Sequence, residues 1–160
     1  MAIWQVPIKL IPRKNFINSS EYDAKENFFA WEDKKKIEKS LMNIAAILKT
    51  KKSWSKNIIL YGDEESNCVE LFYNRRKLEE VSIRLDLRDI PKKLLGLIIE
   101  IAKKNDALIW IQEEETAIEP EWALFTEKIR KSSAAKFSQN PQEFLANISS
   151  HSSGFNKPVP

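Results

Sequence analysis

Apolar and polar residues alternate without a break along the segment from Glu80 to Arg88. The apolar positions are Val81, Ile83, Leu85 and Leu87. The polar positions, which we call the charged row, are Glu80, Ser82, Arg84, Asp86 and Arg88. Because successive side chains of a strand point to opposite faces, this pattern predicts a strand with one buried face and one solvent-facing face.

Three other segments carry strand patterns. Residues 57–61 form a short apolar run, and residues 67–73 alternate again, with turn residues between the two. Together with residues 78–88 they predict three strands joined by short links, which is an antiparallel meander. The compact apolar run at residues 107–112 predicts a further strand.

The N-terminal segment alternates more loosely over residues 3–11. Pro7 lies inside it and has no backbone N–H to donate to a ladder, which favours an edge strand or a break near Pro7. The sequence leaves open whether this strand pairs at the centre of the sheet. Residues 13–30 form a polar connection with embedded aromatic residues, and their role is also left open.

Four segments predict helices, at residues 33–50, 91–105, 119–131 and 140–148. The first has Asp33 as its N-cap and a stripe at helical spacing made of Ile37, Leu41, Ile44, Ala45 and Leu48. The second has a proline in its first turn, where a missing N–H costs nothing. The third directs Trp122, Phe125 and Ile129 inward. The fourth opens with a capping box.

These elements predict a two-layer α+β fold. A mostly antiparallel sheet of about five strands packs one face against helices, because each apolar face must be covered. The predicted order is β-α-β-β-β-α-β-α-α. We expect residues 1–148 to form one domain and the Ser- and Pro-rich residues 149–160 to form a disordered tail.

The charge balance and the cysteine content narrow the classes of protein to which the chain can belong. The 160 residues include 26 basic and 23 acidic residues, a net charge of +3, whereas a dedicated nucleic-acid binder is usually more one-sided. A single cysteine excludes an internal disulfide and fits a reducing compartment. The sequence has no apolar run of about 20 residues, so we expect no membrane span. The N-terminus lacks a signal-peptide pattern. We therefore expect a cytoplasmic protein.

Residues suited to catalysis or metal binding are few. The only histidine, His151, falls in the predicted tail, so neither Cys68 nor a serine has a histidine base nearby in the predicted fold. One histidine and one cysteine do not make a usual zinc site, and the three glycines form no phosphate loop. We expect Cys68 to be structural and the protein to be non-enzymatic, without a cofactor. An enzyme with a carboxylate-based site remains an alternative, because carboxylate pairs meet only in space.

Two groups of residues are candidates for binding. In the charged row, Glu80, Arg84, Asp86 and Arg88 either pair with one another and with neighbouring strands, which the sequence favours, or face a protein partner. The basic segment with Lys49, Lys51, Lys52 and Trp54 is the alternative, a nucleic-acid contact. The competing interpretation, a basic helix end with Trp54 packed on the core, is favoured by the sequence.

The chain resembles a group of short bacterial α+β proteins, some of which are regarded as immunity proteins of toxin–immunity systems. The residues that carry the resemblance are 4–7, 10–12, 67–69, 79–88, 118–120, 131–137 and 140–145. The resemblance implies a binding role and assigns no catalytic residue. We therefore predict a protein-binding module of the immunity type that blocks a toxin by occlusion.

Overall fold

A seven-stranded antiparallel sheet dominates the computed structural model, which describes residues 1–17 and 27–138. The strands are β1 Gln5–Pro12, β2 Thr50–Lys51, β3 Ile58–Gly62, β4 Cys68–Asn74, β5 Lys77–Asp86, β6 Ala107–Ile111 and β7 Thr116–Ile118. They lie in the order β2-β3-β4-β5-β1-β6-β7. The mixed class and the antiparallel sheet are confirmed, but the prediction of about five strands is wrong. The extra strands, β2 and β7, are two and three residues long, too short to show a period.

Five α-helices and one 3₁₀-helix complete the described part of the chain. The α-helices are α1 Arg13–Ile17, α2 Lys34–Leu41, α3 Lys92–Lys104, α4 Trp122–Arg130 and α5 Ser133–Phe137, and the 3₁₀-helix is Met42–Ala46. Within the described residues, the observed order therefore differs from the predicted one by the additional elements α1, β2, β7 and α5. None of the helices in the described ranges combines the length and the apolar character needed to cross a membrane. The predicted helix at 140–148, His151 and the tail at 149–160 lie outside the described residues.

The N-terminal strand lies inside the sheet, between β5 and β6, so the edge position favoured by Pro7 is wrong. The Pro7 carbonyl accepts a hydrogen bond from Gln112 N at 3.4 Å, so its missing N–H also faces the β6 side. There the β1–β6 ladder ends at the pair Ile8↔Ile111. The proline thus removes one bond at the end of a ladder, which a central strand tolerates.

One face of the sheet forms the core with the helices. Val81, Ile83 and Leu85 of β5 have no exposed surface, as their alternation predicts. They belong to one cluster of buried residues with apolar side chains of α2 to α5 and the 3₁₀-helix. Trp122, Phe125 and Ile129 of α4 are buried in this cluster, which confirms their inward orientation.

The first long helix ends earlier than predicted. Its α-helical part stops at Leu41, and the 3₁₀-helix carries the chain only to Ala46. The residues that follow, from Lys49 to Lys51, join the sheet instead. Lys49 O accepts a hydrogen bond from Gly62 N at 2.9 Å, and β2 pairs with β3. Ala45 is exposed rather than part of the buried stripe, because the tighter 3₁₀ turn changes the residue positions.

The outer side of β3 is bonded along its length. Tyr61 and Leu60 pair with Thr50 and Lys51 of β2. Beyond that pairing, Ile58 N donates to Ser55 O at 3.2 Å, and Ser53 Oγ donates to Ile58 O at 2.7 Å. The chain between β2 and β3 therefore occupies both outward-facing backbone groups of Ile58.

Aromatic residues cover part of the sheet face opposite the core. Phe28 and Phe29 lie edge-on to Trp110 of β6, with ring centroids 5.3 and 5.7 Å away. Lys9 Nζ lies 4.6 Å from the Phe29 ring centroid. Within the connection whose role the sequence left open, residues 27–30 thus pack against the sheet.

Candidate protein-binding surface

The charged row is paired within the protein. On the face opposite the core, Lys9 Nζ of β1 lies 3.2 Å from Glu80 Oε1. Arg84 Nη2 lies 3.0 Å from Oε1 of Glu70 on β4. The strand register places Ser82 beside both Lys9 and Glu70, so Glu80 and Arg84 each meet a partner on a neighbouring strand.

Glu70, which lies beside the charged row on β4, is buried, with 2% of its side chain exposed. Its burial raises its pKa, and the Arg84 charge opposes this change only in part. Its Oε1 has a charge contact with Arg84 but no aligned hydrogen bond.

Cys68, two residues earlier, is fully buried, and burial raises its thiol pKa to about 11. The reactive thiolate is therefore scarce at neutral pH.

The end of the row forms a different unit, which we call the Trp4 corner: Trp4, Asp86 and Arg88. β5 ends at Asp86, and a turn closed by Asp89 N and Asp86 O at 3.1 Å carries Arg88 back over β1. Arg88 Nε and Nη2 donate to the two Asp86 oxygens at 3.0 and 2.9 Å. Its guanidinium carbon lies 3.8 Å from the centroid of the Trp4 ring.

The electrostatics of the Trp4 corner keep Asp86 ionised. Burial raises the pKa of Asp86, but the hydrogen bonds from the Arg88 side chain and backbone outweigh it and leave the pKa below its ordinary value. The same contacts raise the pKa of Arg88. About half of the Arg88 side chain, 51%, stays exposed, whereas Asp86 exposes 3%. Asp86 and the Trp4 ring thus hold the Arg88 guanidinium in place, while about half of the side chain faces solvent.

Residues that the sequence did not single out tie the β3–β4 turn to this corner. Gln5 Nε2 donates to Glu64 O at 2.9 Å and to Ser66 O at 2.6 Å. Asn67 Oδ1 accepts from Asp86 N at 2.8 Å. Both Gln5 and Asn67 are buried polar residues, and no local pattern distinguishes them from surface amides. They fix the acidic turn 63–65 beside β1.

The basic segment lies next to the same turn. Lys49 precedes β2, Lys51 lies in it and Lys52 follows it, so the expected helix end is wrong. Trp54 is 74% exposed, so its expected packing on the core is wrong as well. A groove of about 510 Å³ is lined by Lys51, Lys52 and Trp54 together with the turn residues Asp63, Glu64 and Glu65. Lys51 Nζ lies 3.1 Å from Asp63 Oδ2.

Trp54 and the Trp4 corner flank one turn. Trp4 Nε1 donates to Glu65 O at 3.4 Å on one side, and Trp54 lines the groove on the other. Ile3, next to Trp4, is 60% exposed. We call the combined area the Trp4–Trp54 surface; it comprises Ile3, the Trp4 corner, turn 63–65 and Trp54.

Within residues 1–17 and 27–138, no group of three or more His, Cys, Asp or Glu side chains is placed to hold a metal ion. No protein-family model matches the chain, and no curated protein and no solved structure matches it. The immunity-type resemblance therefore stays a prediction from the sequence.

Proposed function

We propose that the protein is a non-enzymatic protein-binding module that neutralises a cognate bacterial toxin by occlusion, as an immunity-type protein does. The Trp4–Trp54 surface is the observation that supports this proposal. Tryptophan and arginine dominate the residues that contribute most to protein–protein binding. Here Trp54 is 74% exposed and Arg88 is 51% exposed, and an exposed indole contributes little to the stability of a folded monomer.

The fixed geometry of Arg88 favours tight binding. A free arginine loses rotamer freedom when a partner immobilises it, at a cost of about 0.5–1.5 kcal/mol. Arg88 is already held by two hydrogen bonds to Asp86 and by the Trp4 ring. Folding therefore already removes much of the rotamer freedom of Arg88, and the exposed half of its side chain can contact a partner with a smaller entropy loss.

The charge of the turn suggests what the partner presents. Asp63 is engaged by Lys51, but Glu65 is exposed; its carbonyl accepts from Trp4, and it lines the groove together with Trp54. A partner with apolar groups around a basic residue fits this arrangement. A toxin that acts on nucleic acid carries such basic groups in its substrate groove, and covering that groove would block it.

The direct test first asks whether a large toxin-like reading frame lies beside the gene and then uses its product. We expect co-expression with this protein to protect cells from that product, and the two purified proteins to form a stoichiometric complex. Trp54→Ala should weaken the complex at least tenfold, about 1.4 kcal/mol, in calorimetric titration. Met42→Ala is the matched control, since Met42 is 66% exposed on the 3₁₀-helix of the helical layer.

The proposal fails if the adjacent product neither binds nor is neutralised, and the surface assignment fails if Trp54→Ala and Met42→Ala bind equally. Arg88→Glu would place a second carboxylate beside buried Asp86, so it is no better a charge probe than Arg84→Glu. Arg84→Glu would place a second carboxylate beside buried Glu70 and would unfold the sheet face rather than report on a partner.

Binding of single-stranded nucleic acid is the second candidate, and the exposure of Trp54 favours it. An exposed indole beside Lys51 and Lys52 can stack on a base while the lysines contact phosphate. The three carboxylates across the groove oppose this. An oligonucleotide affinity that falls steeply with salt and is lost in Lys51→Ala/Trp54→Ala would establish it in place of the first candidate.

A further inference from the structure

A second cavity lies at the opposite end of β5 from the Trp4 corner. It has a volume of about 510 Å³ and lies between the β4–β5 turn and the start of α2. Lys77 and Asp86 bound β5, so at about 3.3 Å per residue the two regions are about 30 Å apart. Nothing in the proposed function uses this cavity.

Cations dominate the free charges of the cavity. Its wall includes Lys34, Arg76 and Lys77, and the carboxylates Glu32 and Glu79. Glu32 is paired with a lysine, whereas Glu79 bonds a neutral amide and is the one carboxylate of the wall, among the described residues, that keeps its charge. Glu32 Oε2 lies 2.6 Å from Lys14 Nζ, and Glu79 Oε1 accepts from Asn74 at 3.1 Å.

The cationic groups keep their charge available. Lys34 Nζ donates to the neutral Arg76 carbonyl and lies 5.8 Å from the Tyr73 ring centroid, and no carboxylate of the described residues pairs with it. Within residues 1–17 and 27–138, neither the Arg76 guanidinium nor the Lys77 ammonium has a carboxylate partner. An anion in the cavity would therefore meet unpaired positive charge from two elements.

A buried donor without a partner also lines the cavity. Trp31 is 8% exposed, and its indole N–H has no hydrogen-bond acceptor among the described residues. Its position is fixed, because Trp31 N donates to Leu78 O at 2.9 Å and so joins the residue to β5. Buried donors are nearly always paired, and an unpaired one points to an absent acceptor.

The turn that carries Arg76 is strained. Arg75 and Arg76 have φ angles of 48° and 70°, in the left-handed region that a two-residue hairpin of this type requires. Asparagine and glycine adopt that region at far lower cost. Arginines in this region carry backbone strain of the kind that clusters at functional sites.

We propose that this cavity binds a phosphate group, free or as a small phosphate ester. Arg76, Lys77 and Lys34 supply the positive charge. The Trp31 indole N–H supplies a neutral donor, and a phosphate has enough oxygens to accept from all four. Guanidinium groups match phosphate oxygens with paired N–H donors, which explains arginine at the turn.

The test follows the indole N–H signals by ¹⁵N NMR. The chain has five tryptophans, and Trp31→Phe identifies the Trp31 signal by its loss. Inorganic phosphate, phosphoserine and acetate are titrated separately at constant ionic strength and pH. We expect a saturable shift of the Trp31 signal with phosphate or phosphoserine and none with acetate. Tighter binding of phosphoserine would identify an ester as the ligand, and equal binding would identify free phosphate.

Two variants make the test specific. Arg76→Gln/Lys77→Gln should weaken binding at least tenfold, whereas Lys56→Gln, which removes one charge outside the cavity, should leave it unchanged. A shift that does not saturate, a shift of equal size with acetate, or equal affinities in the double variant and wild type would overturn the proposal.

Discussion

The strained β4–β5 turn yields the most direct prediction about stability. Arg75 and Arg76 form the two central positions of the hairpin, with φ angles of 48° and 70°. Their side chains are exposed, and the backbone contact with Lys34 uses the Arg76 carbonyl rather than its guanidinium. Arg75→Asn/Arg76→Gly therefore relieves the backbone conformation without removing a buried contact, and we expect a more stable protein.

The magnitude follows from the backbone. A residue with a Cβ atom in the left-handed region costs about 1–2 kcal/mol. Asn recovers part of that cost at position 75, and Gly recovers all of it at position 76. Glycine also gains about 0.5–1 kcal/mol of unfolded-state entropy, which offsets part of the gain. The net increase in the free energy of unfolding is about 1 kcal/mol, or about 3 °C in melting temperature for a chain of this size.

Thermal unfolding followed by circular dichroism measures the change, and urea unfolding checks it at 25 °C. Arg75→Gln/Arg76→Gln is the matched control, because it removes the same two charges but keeps the backbone cost. We expect its melting temperature to stay near that of wild type. If the Asn/Gly variant is no more stable than wild type, or if the Gln control gains as much, backbone strain is not the cause.

Two further predictions concern the sheet face around Arg84. Cys68 should not react with a thiol reagent at pH 8 until the protein unfolds, because it is fully buried and burial raises its pKa to about 11. Rapid labelling in native buffer would contradict this. Burial likewise raises the pKa of Glu70, so its protonated form favours folding and that contribution is lost as pH rises through the folded pKa. Glu70→Gln should therefore gain stability relative to wild type as the pH rises above about 4, and a pH-independent difference in urea unfolding would refute this.

Regular patterns in the sequence predicted the regular parts of the fold. The alternation over residues 78–88 matches β5 at Lys77–Asp86 to within two residues. The difference arises because the Asp86–Asp89 turn ends the strand before the alternation stops. The helix at 91–105 corresponds to α3, Lys92–Lys104, since its start and end signals are local.

Features set by distant contacts could not be predicted in this way. The central place of β1 depends on where Pro7 falls relative to the end of β6, which no local pattern contains. The 3₁₀-helix replaces the end of the first long helix because β3 pairs with residues just after it. Helical spacing alone favours a continuous helix.

The candidate surface was predicted only in part. Alternation identified Asp86 and Arg88 as polar positions near one end of β5, but their contact with Trp4 depends on the pairing of β1 with β5. Trp54 was predicted to be buried because tryptophan is apolar. The serines beside it instead bond the edge of β3, and the intervening indole is left outside.

Those serines have a consequence for the behaviour of the protein in the cell. An open strand edge offers free N–H and C=O groups to any other extended chain and so promotes aggregation. Ser53 and Ser55 occupy these groups at Ile58, the one residue of β3 where the sheet edge would otherwise remain open beside an exposed Ile59. The Ser53 hydroxyl and the Ser55 carbonyl thus block strand addition at Ile58. A partner that approaches Trp54 therefore finds no free backbone group of Ile58 to pair with.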